Sequence, residues 1–172
     1  MFRHALISDI DTLLDILKKV KEQMHNIDKL DQWTDNYPNK DVLLNDIKQK
    51  QLYVYLVKDI IVGFGVLNED FYEAYNQVTW SSNQEARTIH RVCVDPKFKN
   101  NGYAYDLFLN LEKEAIKQGI TYIKIDTFSK NYRMDNLLLK LDYKFLGTMD
   151  LHPGLDVWNC YEKFLSIENN IK

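Results

Sequence analysis

A β-rich run, Thr88-Ile89-His90-Arg91-Val92-Cys93-Val94, turns at Asp95-Pro96 and passes through Lys99-Asn100-Asn101-Gly102-Tyr103-Ala104 into a helical run from about Tyr103 to Gln118. No other stretch constrains the fold as tightly. A strand that turns through a short loop into a helix aims several unpaired backbone N–H groups at one point, and the helix dipole adds partial positive charge there. Such a loop can hold a phosphate. Gly102 and Ala104 keep side chains out of the way, and Lys99 brings charge.

The spacing Val94-Asp95-Pro96-x-x-Lys99-x-x-Gly102-x-Ala104 resembles the acetyl-CoA pyrophosphate loop of the GNAT superfamily, the acetyl-CoA-dependent N-acetyltransferases. That family writes the loop as Gln/Arg-x-x-Gly-x-Gly/Ala after a strand ending in Val-x-Pro. Lys99 replaces the usual Arg or Gln, Gly102 is kept, Ala104 is an allowed variant, and Asn100 stands where many members carry another Gly. Neither departure removes a backbone donor. The resemblance implies that Lys99, Asn100, Asn101, Gly102, Tyr103 and Ala104 hold the pyrophosphate. It also implies that the backbone of Val92, Cys93 and Val94 pairs with the pantetheine amides.

A second segment, Asp126-Thr127-x-x-x-Asn131 followed by Met134 and Lys140-Leu141-Asp142-Tyr143, is similar to the family's Asn-x-x-Ala and Lys-Leu-Gly-Phe. By that resemblance Asn131 contacts the cofactor. Many members carry a Tyr four residues before the Gly, where it reprotonates the CoA thiolate; here that position is Leu138. Tyr143 and Tyr161 are the possible substitutes.

The chain has 172 residues, which suits one domain, 1–172, with a sizeable core. It holds 6 Gly and 3 Pro and no fixed-period repeat. No apolar run approaches the roughly 20 residues of a membrane span, and Met-Phe-Arg-His does not lead into a signal peptide. With 22 Lys+Arg, 25 Asp+Glu and a net charge of -3, the basic residues are scattered, which argues against a nucleic-acid partner. The four His follow no metal-binding spacing, so no metal is expected. Cys93 and Cys160 read as reduced core thiols of a cytoplasmic protein.

Periodicity predicts a strand over Phe2–Ile7 and a helix capped by Ser8-Asp9, with Leu13, Leu14, Ile16, Leu17 and Val20 at helical spacing. A second helix near Asp41–Lys50 precedes a hairpin, Leu52–Val57 and Ile60–Leu67, about Lys58-Asp59. Asn68–Gln84 carries no periodic pattern. After the motif helix come a strand over Thr121–Thr127, a helix over Tyr132–Leu141, and strands over Phe145–Asp150 and Val157–Phe164. This alternation predicts a three-layer α/β domain. The order matches the GNAT fold, which implies a mixed, mostly antiparallel sheet with helices on both faces.

Alternation in a strand places Thr88, His90, Val92 and Val94 on one face. The resemblance makes that the face toward the acetyl group. His90 can take a proton near neutral pH; otherwise it is a structural His bonded to a loop. Glu85, acting through water, is the other candidate base. Arg91 on the opposite face reads as structural, paired with a carboxylate. Gln32, Trp33 and Tyr37 belong to the segment that, by resemblance, roofs the acceptor pocket, and Trp80 precedes the motif strand. All four are candidate substrate-binding residues. Asp126 reads as structural at its strand end, with acceptor binding as the lesser alternative.

The resulting expectation is an N-acetyltransferase that moves acetyl from its co-substrate acetyl-CoA directly to a small-molecule amine, working as a monomer or homodimer. The alternatives are a non-catalytic acyl-CoA-binding or sensing module, which Leu138 keeps open, and a protein-lysine acetyltransferase, which would want an open peptide groove.

Overall fold

A computed structural model describes residues 1–152, 154 and 156–166. The chain divides into two compact units: Met1–Leu67 with His90–Leu111, and Asn68–Ile89 with Glu112 onward.

The first unit is built on a four-stranded sheet in the order β1-β2-β3-β4, from β1 (Phe2–His4), β2 (Leu52–Val57), β3 (Ile60–Asn68) and β4 (Thr88–Val94). β1 and β2 are antiparallel, as are β2 and β3. β1 is shorter than expected. The Asp9 carboxylate accepts from the Leu6 N–H at 2.7 Å and pairs with Arg3 at 2.7 Å, which curls Ile7–Asp9 into a 3-10 turn. Asp9 therefore turns back toward the strand and makes no side-chain cap on the helix that follows.

That helix, α1 (Ile10–Asn26), and α2 (Lys40–Lys48) bury Leu13, Ile16, Leu17, Leu43 and Ile47 with Leu52, Val54, Phe64 and Cys93. This is the apolar stripe legible in the sequence. The β2–β3 hairpin turns at Lys58 and Asp59 with φ of 49° and 61°, the paired left-handed residues of a tight hairpin turn. α3 (Tyr103–Lys117) covers the other face of this sheet. Its approach is so close that a Cβ on Gly65 would lie 2.9 Å from Leu111 Cδ1.

The second unit holds an antiparallel sheet in the order β5-β7-β6, from β5 (Tyr122–Phe128), β6 (Lys144–His152) and β7 (Asp156–Phe164). α4 (Tyr132–Lys140) links β5 to β6. Just before β4, Arg87 forms a single parallel bridge to Ile123, with Arg87 N–H to Tyr122 O and Lys124 N–H to Arg87 O both at 3.0 Å. The aperiodic stretch 68–84 contains a 3-10 turn, Glu73–Gln77; Tyr75 within it and Val78 just after it join Met149 and Cys160 in a small core. The architecture is thus mixed α/β with mostly antiparallel pairing. Among the described residues no helix is long and apolar enough to cross a membrane. Cys93 and Cys160 are both free and buried.

Candidate acetyl-transfer site

The loop after β4 is held open by its own hydrogen bonds. The Asp95 N–H donates to Val62 O at 2.9 Å, and the Asp95 carboxylate accepts from the Lys97 N–H at 2.9 Å. These bonds fix the Pro96–Phe98 3-10 turn. Asn101 Nδ2 then donates to Phe98 O and Lys99 O, both at 3.0 Å. Asn100 has φ 62° and Gly102 φ 79°. Backbone N–H groups along such a turn can form a concave, anion-binding nest. α3 starts directly after, with the Asp106 N–H bonded to Gly102 O at 3.0 Å. The N–H groups of Tyr103, Ala104 and Tyr105 fall in its first turn, where no intrahelical acceptor exists. Asn100, Asn101 and Gly102 are exposed, so a ligand can reach the nest. Asn100 fits because Asn tolerates the left-handed region that another Gly would otherwise occupy.

Upstream, Arg91 has φ 49°, a left-handed residue within β4. Its side chain is locked. Nε and Nη2 donate to the two oxygens of Asp46, both at 2.9 Å, and Nη1 donates to the Tyr37 hydroxyl at 2.9 Å. Arg91 is therefore the structural, carboxylate-paired residue the sequence suggested. A left-handed residue departs from extended backbone, and strict alternation does not carry across it. The common face expected for His90 with Val92 and Val94 does not follow from strand periodicity. Val92 lies against Gly65 on the side of Leu107 and Leu111, whereas Cys93 is buried in the α1–α2 core. Burial pushes the Cys93 thiol up, so it stays protonated.

The other candidates fall as follows. His90 is half-buried on β4. Glu85 is 71% exposed in its side chain, and Oε1 accepts from Arg87 Nη1 at 2.9 Å. Trp33 packs on the first core and lines a cavity of about 850 Å³ with Leu14, Lys21, His25 and Asp35. Lys21 Nζ donates to Thr34 O and Pro38 O, both at 2.6 Å, pinning the segment that carries Gln32, Trp33 and Tyr37. Burial lowers the Lys21 pKa.

In the second unit, Asn131 caps α4, its Oδ1 accepting from the Met134 N–H at 3.2 Å. Asp142, in the place of the family's Gly, has φ 63°, which explains why a Gly is common there. Tyr161 donates to Asp135 at 2.8 Å, and burial followed by that carboxylate pushes its pKa up. Tyr143 is also raised, chiefly by burial. Leu138 is fully buried. A larger side chain there overpacks the core at a cost of about 1–3 kcal/mol. Leu138→Tyr is accordingly expected to lower the melting temperature by about 3–10 °C; an unchanged melt would show that the site has room for the ring.

One pair was missed in the sequence. Tyr75 Oη donates to Asp126 Oδ1 at 2.5 Å, and Trp80 stacks on the Tyr75 ring at 5.1 Å while its Nε1 donates to Tyr75 O at 2.9 Å. Burial raises Asp126 to about 6, against the opposing pull of the Tyr75 hydrogen bond. Tyr75 lies in the aperiodic stretch, so no pattern announced it.

The sequence pattern of the acetyltransferase (GNAT) family matches residues 11–143. The fold is similar to that of a GNAT-family acetyltransferase from Streptococcus agalactiae 2603, with TM-score 0.85 and 22% identity over 96% of this chain and 95% of that one. It is similar to the PaiA N-acetyltransferase from Thermoplasma acidophilum solved in complex with coenzyme A, at TM-score 0.68 and 18% identity over 95% and 98%. It is also similar to a ribosomal-protein-alanine N-acetyltransferase from Brucella melitensis, at TM-score 0.70 and 14% identity over 96% and 99%. Among curated proteins none matches this sequence.

Proposed function

We propose that this chain, which belongs to the acetyltransferase (GNAT) family, transfers acetyl from acetyl-CoA directly to the amine of a small molecule. The observation that carries the reading is the exposed nest at Asn100 and Gly102, set against the first turn of α3. It offers backbone N–H groups and a helix dipole to a pyrophosphate, and Lys99 adds charge. Asn131 is a further cofactor contact on the family's pattern.

Transfer needs the amine free of its proton and in line with the thioester carbonyl. The nitrogen lone pair then attacks the carbonyl carbon, and the C–S bond breaks with CoA leaving as thiolate. Holding the partners together supplies much of the acceleration. A β4 N–H beside the left-handed Arg91, near Val92, is the group we assign to polarise the carbonyl. His90 is our choice for the proton acceptor, because Glu85 is exposed and engaged by Arg87. A thiol leaves from a pKa near 8.5, so a Tyr acid at position 138 is dispensable. Gln32, Trp33, Tyr37 and Trp80 are proposed to shape the acceptor pocket. The two buried thiols suit a cytoplasmic enzyme.

The decisive measurement is steady-state release of CoA thiol with a panel of amines. Turnover with at least one small amine is expected. Tight acetyl-CoA binding with no thiol released from any amine would instead establish the sensing module. With a turned-over amine in hand, His90→Ala should lower the rate about 10²-fold and alter the acidic limb of the pH profile, while Glu85→Gln stays near wild type. If both variants keep wild-type rates and profiles, solvent deprotonates the amine.

A further inference from the structure

Asp95 places a buried carboxylate at the entrance to the phosphate loop, and each of its polar groups is engaged. Its N–H donates to Val62 O of β3 at 2.9 Å, and its carbonyl accepts from the Phe98 N–H at 2.8 Å. Oδ1 accepts from the Lys97 N–H at 2.9 Å, and Oδ2 accepts from Lys19 Nζ of α1 at 3.3 Å. Lys19 is held in turn by Asp15, one helical turn earlier, at 2.5 Å. Beyond Asp95 the bonding continues along the loop. The Lys99 N–H donates to Pro96 O at 3.3 Å, and Asn101 Nδ2 closes on Phe98 O and Lys99 O. This succession of bonds leads into the left-handed Asn100 and Gly102.

An Asn at position 95 would serve the turn as well, since one side-chain oxygen suffices for the Lys97 N–H. What Asp adds is a second acceptor oxygen, and that oxygen reaches α1. Beside the contact opens a groove of about 430 Å³, lined by Lys19, Gln23, Asp95, Pro96 and Lys97 with other α1 residues. The turn therefore has room to shift when the tie is absent. We propose that Asp95 is the positioning residue of the phosphate loop and that Lys19 ties it to α1, so that the backbone from Pro96 to Gly102 holds its ligand-receiving shape before the cofactor arrives. A loop already ordered in the free protein loses less entropy on binding, and so binds more tightly. Neither side chain is a ligand contact; both act through the backbone they hold. The identity of the ligand rests on the acetyltransferase reading, whereas the order of the loop does not.

The test combines calorimetry of CoA binding with hydrogen exchange of the Lys97, Phe98 and Lys99 amides in the free protein. Asp95→Ala removes both the turn bond and the tie. It should bind CoA at least about tenfold more weakly, with those amides exchanging about tenfold faster. Asp95→Asn keeps an acceptor for the Lys97 N–H and should lose only about threefold in affinity, as should Lys19→Met, which removes the tie alone. Because both lose the same contact, the double variant Lys19→Met/Asp95→Asn should be no weaker than either. Binding of Asp95→Ala within about threefold of wild type, or with unchanged loop exchange, overturns the positioning role. An Asn variant as weak as the Ala variant shows that the turn bond is not its basis, and losses that multiply in the double variant overturn the tie to α1. If wild type binds no CoA, the acetyltransferase reading fails, and the exchange rates still decide whether Asp95 holds the loop. Should Asp95→Ala not fold, the other variants decide: no loss in either single variant overturns the proposal.

Discussion

Gly102→Glu is expected to abolish acetyl-CoA binding, with a loss of at least about a hundredfold by calorimetry on the folded variant. Two effects separate cleanly at this position. Gly102 sits at φ 79°, and a Cβ built on it meets nothing within 4 Å, so the substitution causes no clash and costs only the strain of a left-handed L-residue. That strain is about 1–2 kcal/mol. Gly102→Ala carries the strain alone and should fold and bind within about tenfold of wild type. Gly102→Glu adds a carboxylate where backbone N–H groups and the α3 dipole would receive an anion, and like charges at a pyrophosphate repel. Binding of the Glu variant within about threefold of wild type would mean that the phosphates lie elsewhere.

The loop was legible because its chemistry is local. A Gly in the right register, a preceding Pro and a following helical pattern sit within ten residues of one another, and the left-handed φ values of Asn100 and Gly102 are what that spacing asks for. The α1 stripe and the Lys58-Asp59 hairpin were readable for the same reason. What stayed hidden depends on distant partners. The left-handed Arg91 is clamped by Asp46, 45 residues away, and nothing in Thr88–Val94 signals it. Likewise, Tyr75 meets Asp126 across 51 residues, from a stretch with no periodicity to place it.

The second large effect concerns the Arg91 staple. Arg91 and Asp46 retain side-chain exposures of only 10% and 3%, so Asp46→Ala leaves a guanidinium buried with a single neutral partner, Tyr37. Breaking a buried pair from one side costs about 3–5 kcal/mol, which corresponds to a fall in melting temperature of about 6–20 °C for a chain of this size. Removing both partners should be far milder. The double variant Arg91→Gly/Asp46→Ala deletes the stranded charge and places at position 91 a residue that accepts φ 49° without penalty. It should recover most of the stability lost in Asp46→Ala, as melting curves of wild type, the two single variants and the double variant would show. A loss below about 1 kcal/mol in Asp46→Ala would mean that water reaches the guanidinium and the pair is not a staple. The double variant also separates packing from chemistry. Its backbone can keep the positive φ at position 91, but without the side chain clamped to α2 and Tyr37 the strand is no longer held there. If that left-handed turn of the strand orients the N–H that polarises the thioester carbonyl, this stable variant should still bind acetyl-CoA while its turnover falls.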